Sequence, residues 1–154
     1  MEKIKYVNAS NVGEVVTLKG WVSKVRNLGG LIFIDLRNRA GITQAVVKPE
    51  NKYYDIANEL KSEYVISVSG KVVLREKANT KIKSGEIEID VDKLEVINNS
   101  KEIPFVISDD TNALEDTRLK YRYLDLRREN LLSNFVTRSK IMQTARNFLY
   151  GLDF

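Results

Sequence analysis

Hydrophobic and polar residues alternate along most of the first hundred positions, with the period of two that is typical of half-buried β-strands. This pattern predicts strands over Val15–Arg26, Leu31–Arg37, Gly41–Lys48, Tyr64–Arg75 and Glu86–Val96. The first three strands are joined by short connections that contain Gly or Asn, residues that accept the positive φ angles of tight turns. These three strands are therefore expected to form a β-meander.

Two further features predict that the strands close into a small barrel. Gly20 and Gly70 lie inside long strands, where a glycine permits the bend that a small barrel needs, and Trp21 beside Gly20 is expected in the core. Between the third and fourth strands, apolar residues recur at helical spacing and predict a short helix over Lys52–Leu60. Five strands with a helix after the third describe an all-β OB-fold, a five-stranded Greek-key barrel that usually binds ligands on its second and third strands.

The second strand presents one polar face that carries an aromatic residue. In Leu31–Arg37, Phe33 shares its side of the strand with Asp35 and Arg37, whereas the two isoleucines and Leu36 point the other way. A charged face is normally solvated, so Phe33 fits a base-stacking surface. The residue pattern alone is equally consistent with a structural role, in which the Phe33 ring covers the barrel end or packs under a loop.

The composition changes after the predicted fifth strand. Asn98–Ser108 contains Pro104 and has the character of a linker, and Thr117–Arg128 then concentrates five basic residues, two tyrosines and three leucines in twelve positions. Glu129–Tyr150 predicts one long helix with an apolar stripe. A closed barrel of five short strands cannot bury that stripe, so the helix is expected to need another partner.

Composition restricts the possible chemistry. The 43% hydrophobic content supports a folded core, and 25 Lys and Arg against 21 Asp and Glu give a net charge of +4, which is compatible with a nucleic-acid partner. The absence of Cys and His excludes disulfides and thiolate, imidazole and zinc chemistry within these 154 residues. No apolar run approaches membrane-spanning length and the N-terminus is no signal peptide, so a cytoplasmic protein without a membrane partner is expected.

Two separated motifs resemble the aspartyl, asparaginyl and lysyl tRNA synthetases of class II. GWVSKVRNLGGLIFIDLRNRAGITQAVV, residues 20–47, resembles their anticodon-binding OB-fold, and RLKYRYLDLRR, residues 118–128, resembles the hinge-to-catalytic junction of the aspartyl and lysyl enzymes. Residues 109–128 and the segment 85–88 are most similar to the bacterial aspartyl enzymes. The resemblance covers essentially the whole chain.

The resemblance implies an anticodon-binding OB-fold over residues 1–103, a hinge and junction over 104–128, and the start of an incomplete α/β class II catalytic domain over 129–154. The long helix would open motif 1, through which these enzymes form homodimers, and Phe154 resembles the aromatic residue before the next motif 1 strand. The implied function is anticodon recognition on an aspartate-specific tRNA, as the N-terminal part of an aspartate–tRNA ligase. ATP and Mg²⁺ would be used by the full-length parent, whose ATP- and aspartate-binding motifs would lie beyond Phe154. This chain is therefore expected to have no catalytic residue, metal or cofactor and to be inactive alone.

The resemblance also assigns roles to individual residues. Phe33 would stack on the central anticodon base, and Gln44 would read a base edge with the donor and acceptor of its amide, a pattern that suits uracil. Glu88 would accept hydrogen bonds from the first base, a guanine-type base that presents donors. Because a carboxylate repels phosphate, its presence on an RNA-binding face indicates base reading.

Three basic residues complete the predicted tRNA-binding set. Arg26 would contact a base or a phosphate. Lys24 stands where the family often has arginine; the lysine keeps the positive charge but lacks the bidentate fork of arginine. Arg75 ends the fourth strand and is a further candidate, although a surface charge at a strand end is common. Two alternatives remain: an asparaginyl- or lysyl-tRNA synthetase as the parent, or a free-standing OB-fold module for single-stranded nucleic acid or tRNA. An open reading frame that continues past codon 154 into motif 1 would favour the synthetase.

Overall fold

The computed structural model describes residues 6–80 and 82–153, so the residue compared above with the motif 1 aromatic, Phe154, lies outside the described residues. The chain divides into two units, Met1–Lys101 and Glu102–Phe154. The first unit is a closed barrel in the order β1-β2-β3-β5-β4. Its strands are β1 Val15–Leu28, β2 Leu31–Asn38, β3 Gly41–Val47, β4 Val65–Leu74 and β5 Ile87–Asn98. The predicted OB-fold is confirmed, with strand ends that differ by up to two residues from those expected.

All neighbouring strands of the barrel run antiparallel except β3 and β5, which pair in parallel. A short helix, α1 Tyr54–Asn58, lies between β3 and β4, at the predicted place but shorter than predicted. Inward residues of every strand form the core, since alternate positions of each strand point to the barrel interior.

The glycines in the interiors of β1 and β4 lie where backbones of neighbouring strands come very close. A Cβ atom at Gly20 would collide with the carbonyl oxygen of Arg37, and one at Gly70 would collide with that of Asp90. Gly20 therefore occupies an inward position of β1, and its neighbour Trp21 points outward. The expectation that Trp21 belongs to the core is wrong: the residue is 39% exposed, because consecutive strand residues face opposite sides.

The second unit is helical. It contains two short helices, α2 Glu115–Lys120 and α3 Arg122–Asp125, in the junction segment, and the long helix α4 Glu129–Tyr150 at the predicted bounds. Both carboxylate oxygens of Asp109 lie 3.2 Å from the Asn130 backbone nitrogen and accept from it at the start of α4. None of the described α4 residues is buried, its apolar stripe included.

One buried carboxylate organises the junction. Asp125 is fully buried and accepts hydrogen bonds from Arg122 at 2.9 Å and from Arg128 at 3.0 Å, so its charge is compensated. Two of the five basic residues of the junction, Arg122 and Arg128, therefore pair with a carboxylate inside the protein. Within the described part of the chain, no helix combines the length and apolar character needed to cross a membrane.

Candidate nucleic-acid interface

A row of three polar residues crosses the outer face of the barrel on neighbouring strands. Asp35 on β2 pairs with Gln44 on β3, and Gln44 pairs with Glu88 on β5. The tight turn between β2 and β3 sets the first pairing: Asn38 Oδ1 accepts from Ala40 N at 2.8 Å. We call Asp35, Gln44 and Glu88 the polar row.

Arg26 on β1 joins the polar row into one hydrogen-bond network. Its Nη2 donates to Asp35 Oδ1 at 2.7 Å and to Gln44 Oε1 at 3.3 Å, and Gln44 Nε2 donates to Glu88 Oε2 at 2.8 Å. A guanidinium can only donate and a carboxylate can only accept, so the Gln44 amide has a single orientation between them. Gln44 is only 7% exposed and is held by both neighbours.

Phe33 lies next to this network on the same face. It is the register partner of Arg26, whose Cζ lies 6.0 Å from the centre of the Phe33 ring, within cation–π range. The residue is half-buried, and so less accessible than the exposed aromatic that a solvated polar face predicts. Its ring lines an open groove and is therefore reachable by a flat ligand.

The groove has a volume of about 670 Å³ and lies between this face and the loop that follows β4. Five of the six residues assigned to tRNA binding line it, and only exposed Lys24 does not. The five are Arg26, Phe33, Gln44, Arg75 and Glu88. Sequence reasoning did not assign the other lining residues, which are Leu31, Val46, Lys48 and the loop residues Glu76, Lys77, Ala78, Asn79 and Thr80.

Arg75 is held in a specific position at the edge of the groove. Its Nε donates to the Ile87 carbonyl oxygen at 3.0 Å, and its Nη2 is buried without a hydrogen-bond partner among the described residues. Burial lowers the pKa of Arg75 below its ordinary value; the charges of Glu88 and Asp35 oppose this shift in part and that of Arg26 adds to it. The guanidinium nevertheless stays protonated. A buried, unpaired N–H is costly, and an acceptor on a bound ligand would relieve that cost.

A second ion pair lies beside the groove, between Lys48, which follows the last residue of β3, and Asp90 on β5. Lys48 Nζ lies 2.6 Å from Asp90 Oδ2, and this hydrogen bond and the charge of Asp90 raise the pKa of Lys48. Sequence reasoning missed both Lys48 and the role of Asp35. The alternation of β2, which places Asp35 on the same side as Phe33, was the available signal for Asp35.

Comparison with known proteins identifies relatives of this chain. The sequence pattern of the class II tRNA synthetases (D, K and N) matches residues 114–154. An aspartate–tRNA ligase of Streptococcus thermophilus is 49% identical over 160 aligned residues, which cover all of this chain and 27% of the relative. An aspartate–tRNA ligase of Streptococcus pyogenes is 49% identical over 151 residues, 96% of this chain and 26% of the relative. The chain therefore spans about a quarter of the length of these relatives.

Two solved structures share the architecture. The asparaginyl-tRNA synthetase of Pyrococcus horikoshii, complexed with asparaginyl-adenylate, superposes with a TM-score of 0.80 at 30% identity, over 97% of this chain and 34% of that one. The aspartyl tRNA synthetase of Entamoeba histolytica has the same fold, with a TM-score of 0.87 at 23% identity over 98% of this chain and 38% of that one. The pattern of the OB-fold nucleic acid binding domain matches residues 16–97, more than half of the 154, and the chain belongs to that family.

Proposed function

We propose that this chain reads the anticodon of an aspartate-specific tRNA, as the N-terminal part of an aspartate–tRNA ligase. The 49% identity to aspartate–tRNA ligases along the whole chain supports this parent over an asparaginyl or lysyl enzyme. Anticodon bases lie unpaired in a single-stranded loop and can be splayed out, so a protein reads them by stacking and by hydrogen bonds to their edges.

The observation that carries the proposal is the combination of side chains in the groove. Phe33 offers a ring for stacking, and Gln44 and Glu88 offer amide and carboxylate groups of fixed orientation for base edges. Arg75 contributes an unpaired donor, and exposed Lys24 contributes charge beside the groove for the phosphate backbone. An ordinary solvated sheet face does not require a buried, fully oriented glutamine between two charged groups.

The other parts of the chain follow from the same parent. Residues 1–103 form the anticodon-binding domain, 104–128 the hinge and junction, and 129–154 the start of the catalytic domain. The exposed apolar stripe of α4 takes part in a homodimer of the full-length, cytoplasmic enzyme. ATP, Mg²⁺ and aspartate bind in the parent's catalytic domain, and no residue of this chain is assigned to them.

The decisive experiment titrates the 154-residue protein with RNA hairpins that carry the anticodon loop with guanine first and uracil in the centre. Phe33→Ala should weaken binding by about 1–3 kcal/mol whichever bases the loop carries, because every base has a π-face. Phe33→Leu keeps apolar volume without a π-face and should lose most of the same energy. Leu31→Ala truncates an apolar residue of the same groove and serves as the control, with a smaller effect expected.

Two results would contradict the proposal. One is wild-type binding that does not distinguish the cognate loop from loops with altered bases. The other is unchanged affinity in both Phe33 variants, which would mean that bases do not stack in this groove. Thermal unfolding of each variant separates a binding defect from a folding defect.

A further inference from the structure

An acidic residue on the proposed RNA-binding face needs an explanation. Asp35 lies on the same side of β2 as Phe33, and its side chain is 22% exposed. A carboxylate near an RNA backbone repels phosphate, so Asp35 by itself opposes binding. Its contact at 2.7 Å is with Arg26, a residue that sequence reasoning assigned to RNA.

Arg26 is partly exposed, with 36% of its side chain accessible, but its guanidinium is engaged by other groups of the protein. Its Nη2 is shared between Asp35 and Gln44, and its Nε is buried and has no hydrogen-bond partner among the described residues. A guanidinium whose Nη2 is held by two groups of the protein is restricted in following a flexible phosphate backbone. Its donor instead acts on Gln44 Oε1, at 3.3 Å.

We propose that Asp35 is a positioning residue for base recognition: it holds Arg26, and Arg26 holds the Gln44 amide in one orientation. The inference rests on the proposed anticodon-reading function. Arg26 is then a part of the protein's internal network and not a phosphate contact. Asp35 also neutralises Arg26, which limits attraction to RNA of any sequence.

The orientation of the amide matters because uracil and cytosine present opposite patterns. Uracil offers an acceptor at O4 and a donor at N3, whereas cytosine offers a donor at N4 and an acceptor at N3. A glutamine whose side-chain amide can flip exchanges the positions of its acceptor oxygen and its donor NH₂ group, and therefore satisfies either base. A glutamine clamped between Arg26 and Glu88 satisfies only one of them.

The chain provides a matched control in the Lys48–Asp90 pair. This pair has almost the same separation, 2.6 Å against 2.7 Å, and Lys48 lines the same groove. Neither Lys48 nor Asp90 is hydrogen-bonded to Gln44. Removing Asp90 therefore changes the net charge as much as removing Asp35, and frees a cation in the same way, without touching the network.

The test measures the ratio of affinities for two hairpins that differ only by uracil or cytosine at the central anticodon position, at two salt concentrations. Asp35→Ala should lower this ratio about two- to tenfold, the range expected for one hydrogen bond. It should also steepen the salt dependence by up to about 0.7 in log–log slope, because the freed Arg26 can meet a phosphate. Asp90→Ala should steepen the salt dependence similarly and leave the ratio unchanged.

Asp35→Asn supplies the conservative comparison, because its amide oxygen can still accept from Arg26, and it should restore most of the discrimination. Equal ratios in wild type, Asp35→Ala and Asp90→Ala would overturn the positioning role, as would an equal loss in both alanine variants. If the wild-type protein binds these two hairpins and all other anticodon variants with equal affinity, the proposed function itself is contradicted. The two failures are therefore distinguishable.

Discussion

The substitution Glu88→Gln tests base reading most directly, because it changes one oxygen of the groove into an NH₂ group at nearly constant volume. Glu88 Oε2 already accepts from Gln44 Nε2 at 2.8 Å. A glutamine at position 88 can keep that bond by presenting its own oxygen to Gln44. Its amino group then occupies the place of Oε1, which has no hydrogen-bond partner among the described residues.

The magnitude follows from the single oxygen left free. With Oε2 engaged, Glu88 offers guanine essentially one charge-assisted hydrogen bond, a type worth about 1.5–3 kcal/mol. In the glutamine variant, the guanine donors face another donor and lose that energy. We therefore expect about a 10- to 150-fold loss of affinity for hairpins with guanine at the first anticodon position.

The assay compares wild type and variant on two hairpins that differ at the first anticodon base, guanine in one and uracil in the other. The uracil hairpin should lose much less affinity, since uracil offers carbonyl acceptors to the new NH₂ group. Glu86→Gln is the matched control: Glu86 is exposed, lies two residues earlier and does not line the groove, so the same change of charge should affect both hairpins equally and weakly. An equal loss for both hairpins in the Glu88 variant would refute the assignment of Glu88 to base reading.

Three further predictions concern charge, stability and catalysis. Lys24→Met should reduce the log–log salt slope of hairpin binding by about 0.7 and leave base preference unchanged, because exposed Lys24 lies outside the groove; altered preference would contradict this. Gly70→Ala should lower the free energy of unfolding by about 1–3 kcal/mol in denaturant titrations, since the added Cβ collides with the Asp90 carbonyl oxygen, whereas Ser69→Ala, which removes only the exposed hydrogen bond to Thr17, should cost less. The 154-residue chain should show no aspartate-dependent exchange of pyrophosphate into ATP, and measurable exchange would place catalytic groups within it.

Local sequence patterns were sufficient for the elements of this protein. The alternation in β2 places Ile32, Ile34 and Leu36 in the core and Phe33 on the outer face, because side-chain direction in a strand depends only on position along that strand. The bounds of α4 agree with those predicted from the apolar spacing, because a helix of 3.6 residues per turn is also formed by residues close in sequence. Phe33, Gln44 and Glu88 were named through a family resemblance, and the structure brings all three to one groove.

The tertiary structure decided how those residues are connected. The Arg26 network depends on pairings between β1, β2, β3 and β5, and Gln44 and Glu88 lie 44 positions apart in the sequence. No local pattern predicts that register, so the sequence indicated Asp35 only as part of a polar face and Arg26 only as a contact to a base or a phosphate. The burial of Arg75 Nη2 likewise depends on where the end of β4 lies in the closed barrel. Alternation along a strand predicts the side to which a residue points, because it depends only on position in that strand. The hydrogen-bond partner of that residue depends on which strands pair, and these strands meet only when the barrel closes.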